Sequence, residues 1–114
     1  MGVDITWGPG NHCGMSYSRF DSFQQRLAAA IGITLKHMEG YGGAGKWDEV
    51  KDPLAAFLRQ TCDGGKLSPQ DCAVVRRRIW DVTHHWPVGE RDWARHFASF
   101  MAEAAFLGQW LRWG

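Results

Sequence analysis

Cysteine and histidine are the residues of this sequence with the widest chemical range. A cysteine thiolate becomes a nucleophile when a neighbouring base or cation lowers its pKa. Cys13 follows His12 directly, and His84 lies far along the chain. A thiol-dependent enzyme would therefore use Cys13 together with His12 or His84. Adjacent side chains rarely face each other, and the sequence assigns them no carboxylate partner, so these catalytic candidates belong to an alternative hypothesis.

A metal site would use the same residue types, since Zn²⁺ is bound by Cys and His in a tetrahedral arrangement. The short spacings typical of zinc sites are missing, because Cys62 and Cys72 lie ten positions apart. Cys72 also falls on an apolar helical stripe, where a free cysteine behaves as a small hydrophobic residue. We expect no metal and no cofactor, and we expect all of the cysteines to be reduced thiols.

Two glycine-rich segments match ligand-binding loops only in part. Residues 40–46 have the G-x-x-x-x-G-K spacing of a phosphate-binding loop, but Trp47 stands where the magnesium-binding hydroxyl is required, and no buried strand precedes the loop. Residues 60–71 match a calcium loop at its central glycine and final carboxylate, but supply almost no anionic oxygen in the first half. We interpret the first segment as a plain loop and the second as a turn.

Tryptophan is unusually frequent, with seven copies in 114 residues. Tryptophan and arginine are enriched at the energetic centres of protein interfaces, and a domain of this size does not easily bury all of its indole rings. The candidates for a binding surface are Trp80, Trp86, Trp110, Trp113 and Arg76. A contiguous patch of such residues is typical of a surface that binds a protein partner or a second copy of the chain, as in a homodimer.

Charge and hydropathy argue against several other classes of protein. Thirteen Lys and Arg against twelve Asp and Glu give a net charge of +1, whereas nucleic-acid binders usually carry a strong basic excess. The basic run at residues 76–78 does not form one patch, because successive helical residues point about 100° apart. No apolar run is long enough to span a membrane. Residues 1–4 do not open an export signal, which favours a cytoplasmic location.

Hydrophobic periodicity predicts three main helices and one short helix. The first main helix begins at a Ser18 cap and carries an apolar stripe over residues 20–31. The short helix begins at Pro53, whose fixed φ suits a first helical turn.

The other two main helices have clearer signals. Ser68, Pro69 and Asp71 are typical of a helix start, and this helix should end near His85 because of Pro87. The last helix is predicted from about residue 92 to residue 107, and its broad apolar arc indicates a position between two packed layers.

Alternating apolar residues predict a strand at each end of the chain. Val3, Ile5 and Trp7 alternate with polar residues, and Leu111 and Trp113 repeat the pattern. We therefore predict a mostly helical α+β fold, in one domain over residues 1–114, whose terminal strands pair in a small antiparallel sheet. An all-α bundle is the alternative.

Several motifs together resemble a group of small uncharacterised bacterial proteins with a CDG…LSPxxC turn-helix motif; they lie at residues 8–10, 16–20, 47–50, 52–54 and 62–72. The group is commonest in actinobacteria and their mobile elements, and the likeness covers the greater part of the chain. Its turn usually reads serine-aspartate-cysteine-aspartate-glycine, whereas here Thr61 replaces the first aspartate and Gly65 is an insertion. The resemblance implies a bacterial or phage-associated source, and it implies no activity.

A non-enzymatic, cytoplasmic protein-interaction or inhibitor protein is the leading hypothesis from the sequence, because tryptophan and arginine are abundant and no coherent catalytic set is visible. A small metal-binding or Cys/His-dependent enzyme is the alternative. A nucleic-acid-binding protein is the second alternative.

Overall fold

Four α-helices and a four-stranded antiparallel sheet make up the computed structural model, which describes residues 2–114. The strands are β1 (Gly2–Thr6), β2 (His12–Ser16), β3 (Gly65–Leu67) and β4 (Leu111–Trp113). The helices are α1 (Tyr17–Ala30), α2 (Ala55–Leu58), α3 (Pro69–Val82) and α4 (Val88–Leu107), with short 3₁₀ turns at Leu35–His37 and Trp47–Glu49. The predicted α+β, mostly helical fold is confirmed.

The sheet has the strand order β2-β1-β4-β3. The two ends of the chain pair as predicted, with Ile5 opposite Trp113 and Thr6 opposite Arg112. Strands β2 and β3 were not predicted. Both contain glycine, which weakens a strand signal, and both form through pairing with a neighbour: β2 along β1, and β3 along β4.

Helix α1 begins two residues earlier than predicted, at Tyr17. The cap predicted at Ser18 is wrong, because the Ser16 side chain accepts the hydrogen bond from the backbone N–H of Arg19 at 3.2 Å. Ser16 is the last residue of β2 and has an extended backbone, as an N-cap requires. The strand therefore passes directly into the helix.

Helix α3 begins as predicted: the Ser68 side chain accepts from the N–H of Asp71, and Pro69 occupies the first turn. It ends at Val82, before the predicted His85, and the Thr83 hydroxyl donates to the carbonyl of Ile79 at 2.7 Å.

Helix α4 begins at Val88, earlier than the predicted residue 92. Its start follows Pro87, whose carbonyl accepts the N–H of Arg91 at 2.8 Å. The proline therefore marks the start of α4, whereas α3 has already ended at Val82. None of the helices described for residues 2–114 is both long and apolar enough to cross a membrane.

The core lies between one face of the sheet and the helices. Val3, Ile5 and Leu111 on the sheet are fully buried. Phe20 of α1 meets Phe57 of α2 at 5.7 Å and Phe97 of α4 at 6.0 Å between ring centroids, both edge-on. Aromatic pairs of this kind contribute about 0.5–1.5 kcal/mol each beyond the area that they bury. The three helices are thereby joined at one point.

Gln24 is a buried polar residue on the inner side of α1. Its side-chain amide donates to the carbonyls of Gln60, at 2.6 Å, and Phe57, at 3.3 Å. The hydroxyl of Tyr41 donates to the Leu58 carbonyl beside it, at 2.8 Å. These bonds satisfy the carbonyls at the C-terminal end of α2, which is too short to be stable alone.

We expect Gln24→Leu to lower the free energy of unfolding by about 1–3 kcal/mol, because it removes the shortest hydrogen bond to the Gln60 carbonyl and one of the two donors to the Phe57 carbonyl. Urea denaturation monitored by tryptophan fluorescence measures the change. Gln25→Leu is the matched control, since Gln25 is exposed and bonds only to Asp21; its effect should stay within about 0.5 kcal/mol. Equal effects of the two substitutions would contradict the role assigned to Gln24.

Candidate binding cleft

A cleft of about 220 Å³ opens between α1 and the beginning of α4. Its lining combines aromatic rings with charged side chains: Arg19, Ser22, Phe23, Arg26, Trp86, Glu90 and Trp93. Aromatic and arginine side chains are the types that contribute most to binding at protein interfaces. We therefore take this cleft as the candidate functional site.

Helical periodicity places the lining residues on the cleft. Arg19, Ser22, Phe23 and Arg26 follow the i, i+3, i+4, i+7 spacing of a single helical face on α1. Glu90 and Trp93 are three residues apart on the first turns of α4, so they also share a face. Trp86 lies in the connection between α3 and α4.

Phe23 lies between the two tryptophans of the cleft. Its ring centroid is 4.7 Å from that of Trp93 and 6.4 Å from that of Trp86, and both contacts are edge-on. Phe23 also packs on Phe97 in the core, at 5.0 Å. The apolar surface of the cleft is thus continuous with the core, so its aromatic rings are held by packing.

Each tryptophan of the cleft carries a guanidinium over its ring. Arg19 Cζ lies 5.0 Å from the ring centroid of Trp93, and Arg26 Cζ lies 4.6 Å from that of Trp86. Arg26 also bonds to Glu90, with 2.6 Å between Nη2 and Oε2. Within residues 2–114, Arg19 has no carboxylate partner. The cleft therefore has one compensated and one uncompensated positive charge.

The size of the cleft limits what it can hold. Pockets for cofactors and drug-sized ligands occupy roughly 300–1,000 Å³, which is more than the 220 Å³ present here. A larger depression of about 480 Å³ lies near Gln25, Lys36 and Tyr41, but Lys36 is its one charged group, and the Tyr41 hydroxyl is bonded within the fold. The Trp86–Trp93 cleft has the volume of one or two side chains.

Cation–π contacts separate the tryptophans into two groups. The four that keep solvent contact are Trp80, Trp86, Trp93 and Trp110, and each has an Arg or Lys over its ring. The buried tryptophans are Trp7, Trp47 and Trp113, and in the described part of the chain none of them has such a contact.

The binding residues suggested by the sequence fall in different places. Trp80, 45% exposed, lies under Arg95 at 4.0 Å, and Trp110, 42% exposed, lies under Lys66 at 5.2 Å. Trp86 lines the cleft. Trp113 lies in the core instead of at the surface, and its indole N–H donates to the Thr61 carbonyl at 2.9 Å.

The arginine run on α3 is also divided. Arg76 is half-buried. The guanidinium of Arg78 binds Asp52, with 2.8 Å between Nη2 and Oδ2 and 3.0 Å between Nε and Oδ2. Hydrogen bonding to Asp52 raises the pKa of Arg78. The charge of Arg78 is therefore paired with the carboxylate of Asp52, and residues 76–78 present no continuous basic surface.

Of the residues that line the cleft, the sequence identified only Trp86 as a binding residue; Arg19, Arg26 and Trp93 are among those that it missed. The seven-residue separation of Arg19 and Arg26, on either side of apolar Phe23, is the signal that could have indicated them.

Outside the cleft, the apolar side chain of Phe106 at the end of α4 is 89% exposed. Phe106 lies beyond the part of α4 that packs on the core.

The candidate catalytic residues do not form a catalytic arrangement. His12 binds Asp4 on the solvent face of the sheet, with 3.2 Å between Nε2 and Oδ1. Cys13 faces the opposite side, because successive strand residues alternate. The ring of exposed His84 packs edge-on against His85, with 5.5 Å between centroids. No group of three or more His, Cys, Asp and Glu side chains within residues 2–114 is arranged to hold a metal ion.

The glycine-rich loop closes on itself. The N–H of Gly43 donates to the carbonyl of Met38, and the N–H of Gly45 donates to that of His37. These amides are therefore already used within the loop, whereas a phosphate-binding loop directs its amides to the phosphate. Lys46 lies 3.7 Å from the carboxylate of Glu39.

The turn compared with a calcium loop is organised by Gln60. Its side-chain oxygen accepts from the N–H of Lys66 at 2.9 Å, and its amide donates to the carbonyl of Lys66 at 2.8 Å. The side chain at the first position of the loop therefore bonds within the protein.

The fold is an α+β, mostly helical domain with an aromatic, positively charged cleft. Comparisons with protein-family models, curated proteins and solved structures give no match for this chain. The physical properties of the cleft therefore carry the functional argument.

We expect the cysteines to differ in reactivity. Burial raises the pKa of Cys72 to about 11, so at pH 8 roughly one molecule in a thousand carries its thiolate. Cys13 and Cys62 are half-buried, so iodoacetamide should modify them well before Cys72, as measured by peptide mass spectrometry. Cys72→Ala should remove only the site that iodoacetamide modifies most slowly. Rapid labelling of Cys72 in the folded protein would contradict its position in the core.

Proposed function

We propose that this chain is a non-enzymatic, cytoplasmic protein-interaction protein that binds an acidic, aromatic-containing segment of a partner protein in the Trp86–Trp93 cleft. An accessory or inhibitor protein of a bacterium or a mobile element fits this activity and the resemblance noted in the sequence.

The arrangement of tryptophan and cationic side chains is the observation that carries the proposal. Every tryptophan with solvent contact has a cation over its ring, and a half-exposed indole held in this way loses little conformational freedom on binding. At the cleft, two of these pairs line one concavity. Interface energy concentrates at such partly enclosed aromatic and arginine residues.

Charge and shape specify the partner segment. An aromatic or branched apolar side chain would enter between the indoles and lie on Phe23. A neighbouring Asp or Glu would bind Arg19, whose guanidinium has no carboxylate partner within residues 2–114. An arginine pairs with a carboxylate through two parallel hydrogen bonds, which gives orientation as well as affinity. Arg26 is already bound by Glu90, so it would hold Trp86 in place.

Selection from a random peptide library displayed on phage tests this proposal. We expect the protein to enrich peptides that place Asp or Glu beside Trp, Phe or Leu. Trp86→Ala should weaken binding of a selected peptide by about 30-fold or more, since loss of a central aromatic costs about 2 kcal/mol or more. Arg19→Glu should weaken acidic peptides most, because it replaces attraction by repulsion. Titrations followed by isothermal calorimetry measure both.

Trp80→Ala and Phe106→Ala are the matched controls, because both side chains are exposed and lie outside the cleft. Circular dichroism and thermal unfolding establish that each variant is folded. The proposal is wrong if selection enriches no peptide. It is also wrong if the selected peptides bind Arg19→Glu and Trp86→Ala as tightly as the unaltered protein.

A further inference from the structure

Strand β2 forms one edge of the sheet, and its backbone is open on that side. Asp4 and Gly114 exchange backbone hydrogen bonds, at 3.3 and 3.2 Å, so Asp4 directs its N–H and C=O towards the C-terminal end of the chain. Because strand residues alternate in the direction of these groups, Val3 and Ile5 bond to Met15 and Cys13. The N–H groups of His12, Gly14 and Ser16 consequently point away from the sheet.

The outward groups of β2 are accessible. His12, Gly14 and Ser16 are all exposed, and the exposed surface of a glycine is backbone. No backbone hydrogen bond within residues 2–114 reaches the outer side of His12 or Gly14, and the Gly14 carbonyl accepts only from the weak thiol donor of Cys13, at 3.8 Å. A row of unpaired backbone groups of this kind is a template for another strand.

The opposite edge of the same sheet is closed. On β3, the Gln60 side chain bonds to both the N–H and the C=O of Lys66, in the way that a further strand would. Lys66 itself places a charge at the centre of that edge, which is a common protection against strand addition. The fold therefore blocks one edge of its sheet and leaves the other unblocked.

The inner face of β2 is also incompletely covered. Val3 and Ile5 of β1 are fully buried, and so is Leu111 of β4. Cys13 and Met15, which lie on the same face of the sheet, are only half-buried. A strand added beside β2 would cover these two apolar side chains.

We propose that β2 pairs antiparallel with β2 of a second copy of this chain, which joins the two sheets into one. A two-fold axis at Gly14 places Gly14 opposite itself and His12 opposite Ser16 of the second copy. The N–H and C=O groups of the two Gly14 residues then bond to each other, and the N–H of Ser16 donates to the carbonyl of His12 of the second copy.

Side-chain chemistry favours a second copy over a foreign strand. In this register Cys13 lies opposite Met15 of the second copy. The backbone groups of both residues bond to β1 of their own chain, and the side chains of such a non-hydrogen-bonded pair approach closely. The symmetry repeats this apolar contact on the other side of the axis. No like charges meet, since His12 lies opposite Ser16 of the second copy and β2 carries no Lys, Arg, Asp or Glu. The strand is thus complementary to itself.

The Gly14→Lys substitution is designed to disrupt the dimer without disrupting the fold of the monomer. A side chain at Gly14 would lie beside Asp4, with Cβ 3.5 Å from Oδ1, so a lysine suits the monomer. In the dimer the two lysines would face each other, and we expect the dimer to dissociate roughly tenfold more readily or worse. Gly14→Thr is the control, because it adds a side chain without charge and should preserve the dimer. Sedimentation equilibrium of the full chain at several concentrations measures the mass.

A disulfide tests the register. In a Cys62→Ser background, Met15→Cys should form a covalent dimer with the native Cys13 of the second copy under mild oxidation. Cys13 and residue 15 of one chain cannot bond to each other, because their Cβ atoms point the same way from one strand face, about 6–7 Å apart, whereas a disulfide needs about 3.5–4.5 Å between Cβ atoms. Adding Cys13→Ser to Met15→Cys should abolish the cross-link.

The expected mass is twice the chain's 12.9 kDa at high concentration. A monomer at every concentration would overturn the proposal. This outcome is also the one expected if β2 pairs only with a strand of a different protein. A dimer that Gly14→Lys leaves intact would also overturn it, because the interface would then lie elsewhere. These outcomes leave the cleft proposal untouched, since Gly14 does not line the cleft.

Discussion

The position of strand β4 is the constraint on which the rest of the structure depends. It lies between β1 and β3, so the two halves of the sheet meet only through the last residues of the described chain. Leu111 and Trp113 point from β4 into the core, where Trp113 packs on Phe20 at 5.7 Å and on Phe57 at 5.4 Å. Joining the ends of the chain costs loop entropy that grows only slowly with length. Burial of a tryptophan and a leucine helps to offset this cost, at about 25 cal/mol for each Å² of apolar surface removed from water.

The aromatic contacts extend from β4 to the cleft. Phe57 and Phe23 both pack on Phe97, and Phe97 stacks with Trp93 at 5.7 Å and 27°. Phe23 and Trp93 of the cleft are therefore held by α1 and α4, and Trp86 in the α3–α4 connection packs against Phe23. A binding surface on rigid elements keeps its geometry before the partner arrives, which lowers the entropic cost of binding.

Local signals made the start of α3 predictable, because Ser68, Pro69 and Asp71 act within one turn of the helix. The start of α1 was harder to predict, since Ser16 and Ser18 are both suitable caps. The choice depends on where β2 ends, and β2 exists through its pairing with β1. At the cleft, composition indicated Trp86, but it did not indicate Trp93 or Arg19. The helical spacing of Arg19 and Arg26 marks one face of α1, and it does not show which element packs beside that face. A cleft forms when two helices pack, and its lining comes from both.

The sequence by itself determined the fold class, the pairing of the chain ends and the main helices, because hydrophobic period and capping act over a few residues. It also determined that seven tryptophans had to be accommodated. Only the tertiary structure decided which of them are buried, which carry a cation and which share a cleft. It also decided that Gln60 closes the β3 edge of the sheet while the β2 edge stays open. The reason is physical: burial, cation–π contact and edge protection each depend on residues that are distant in sequence and become neighbours only when the chain is folded.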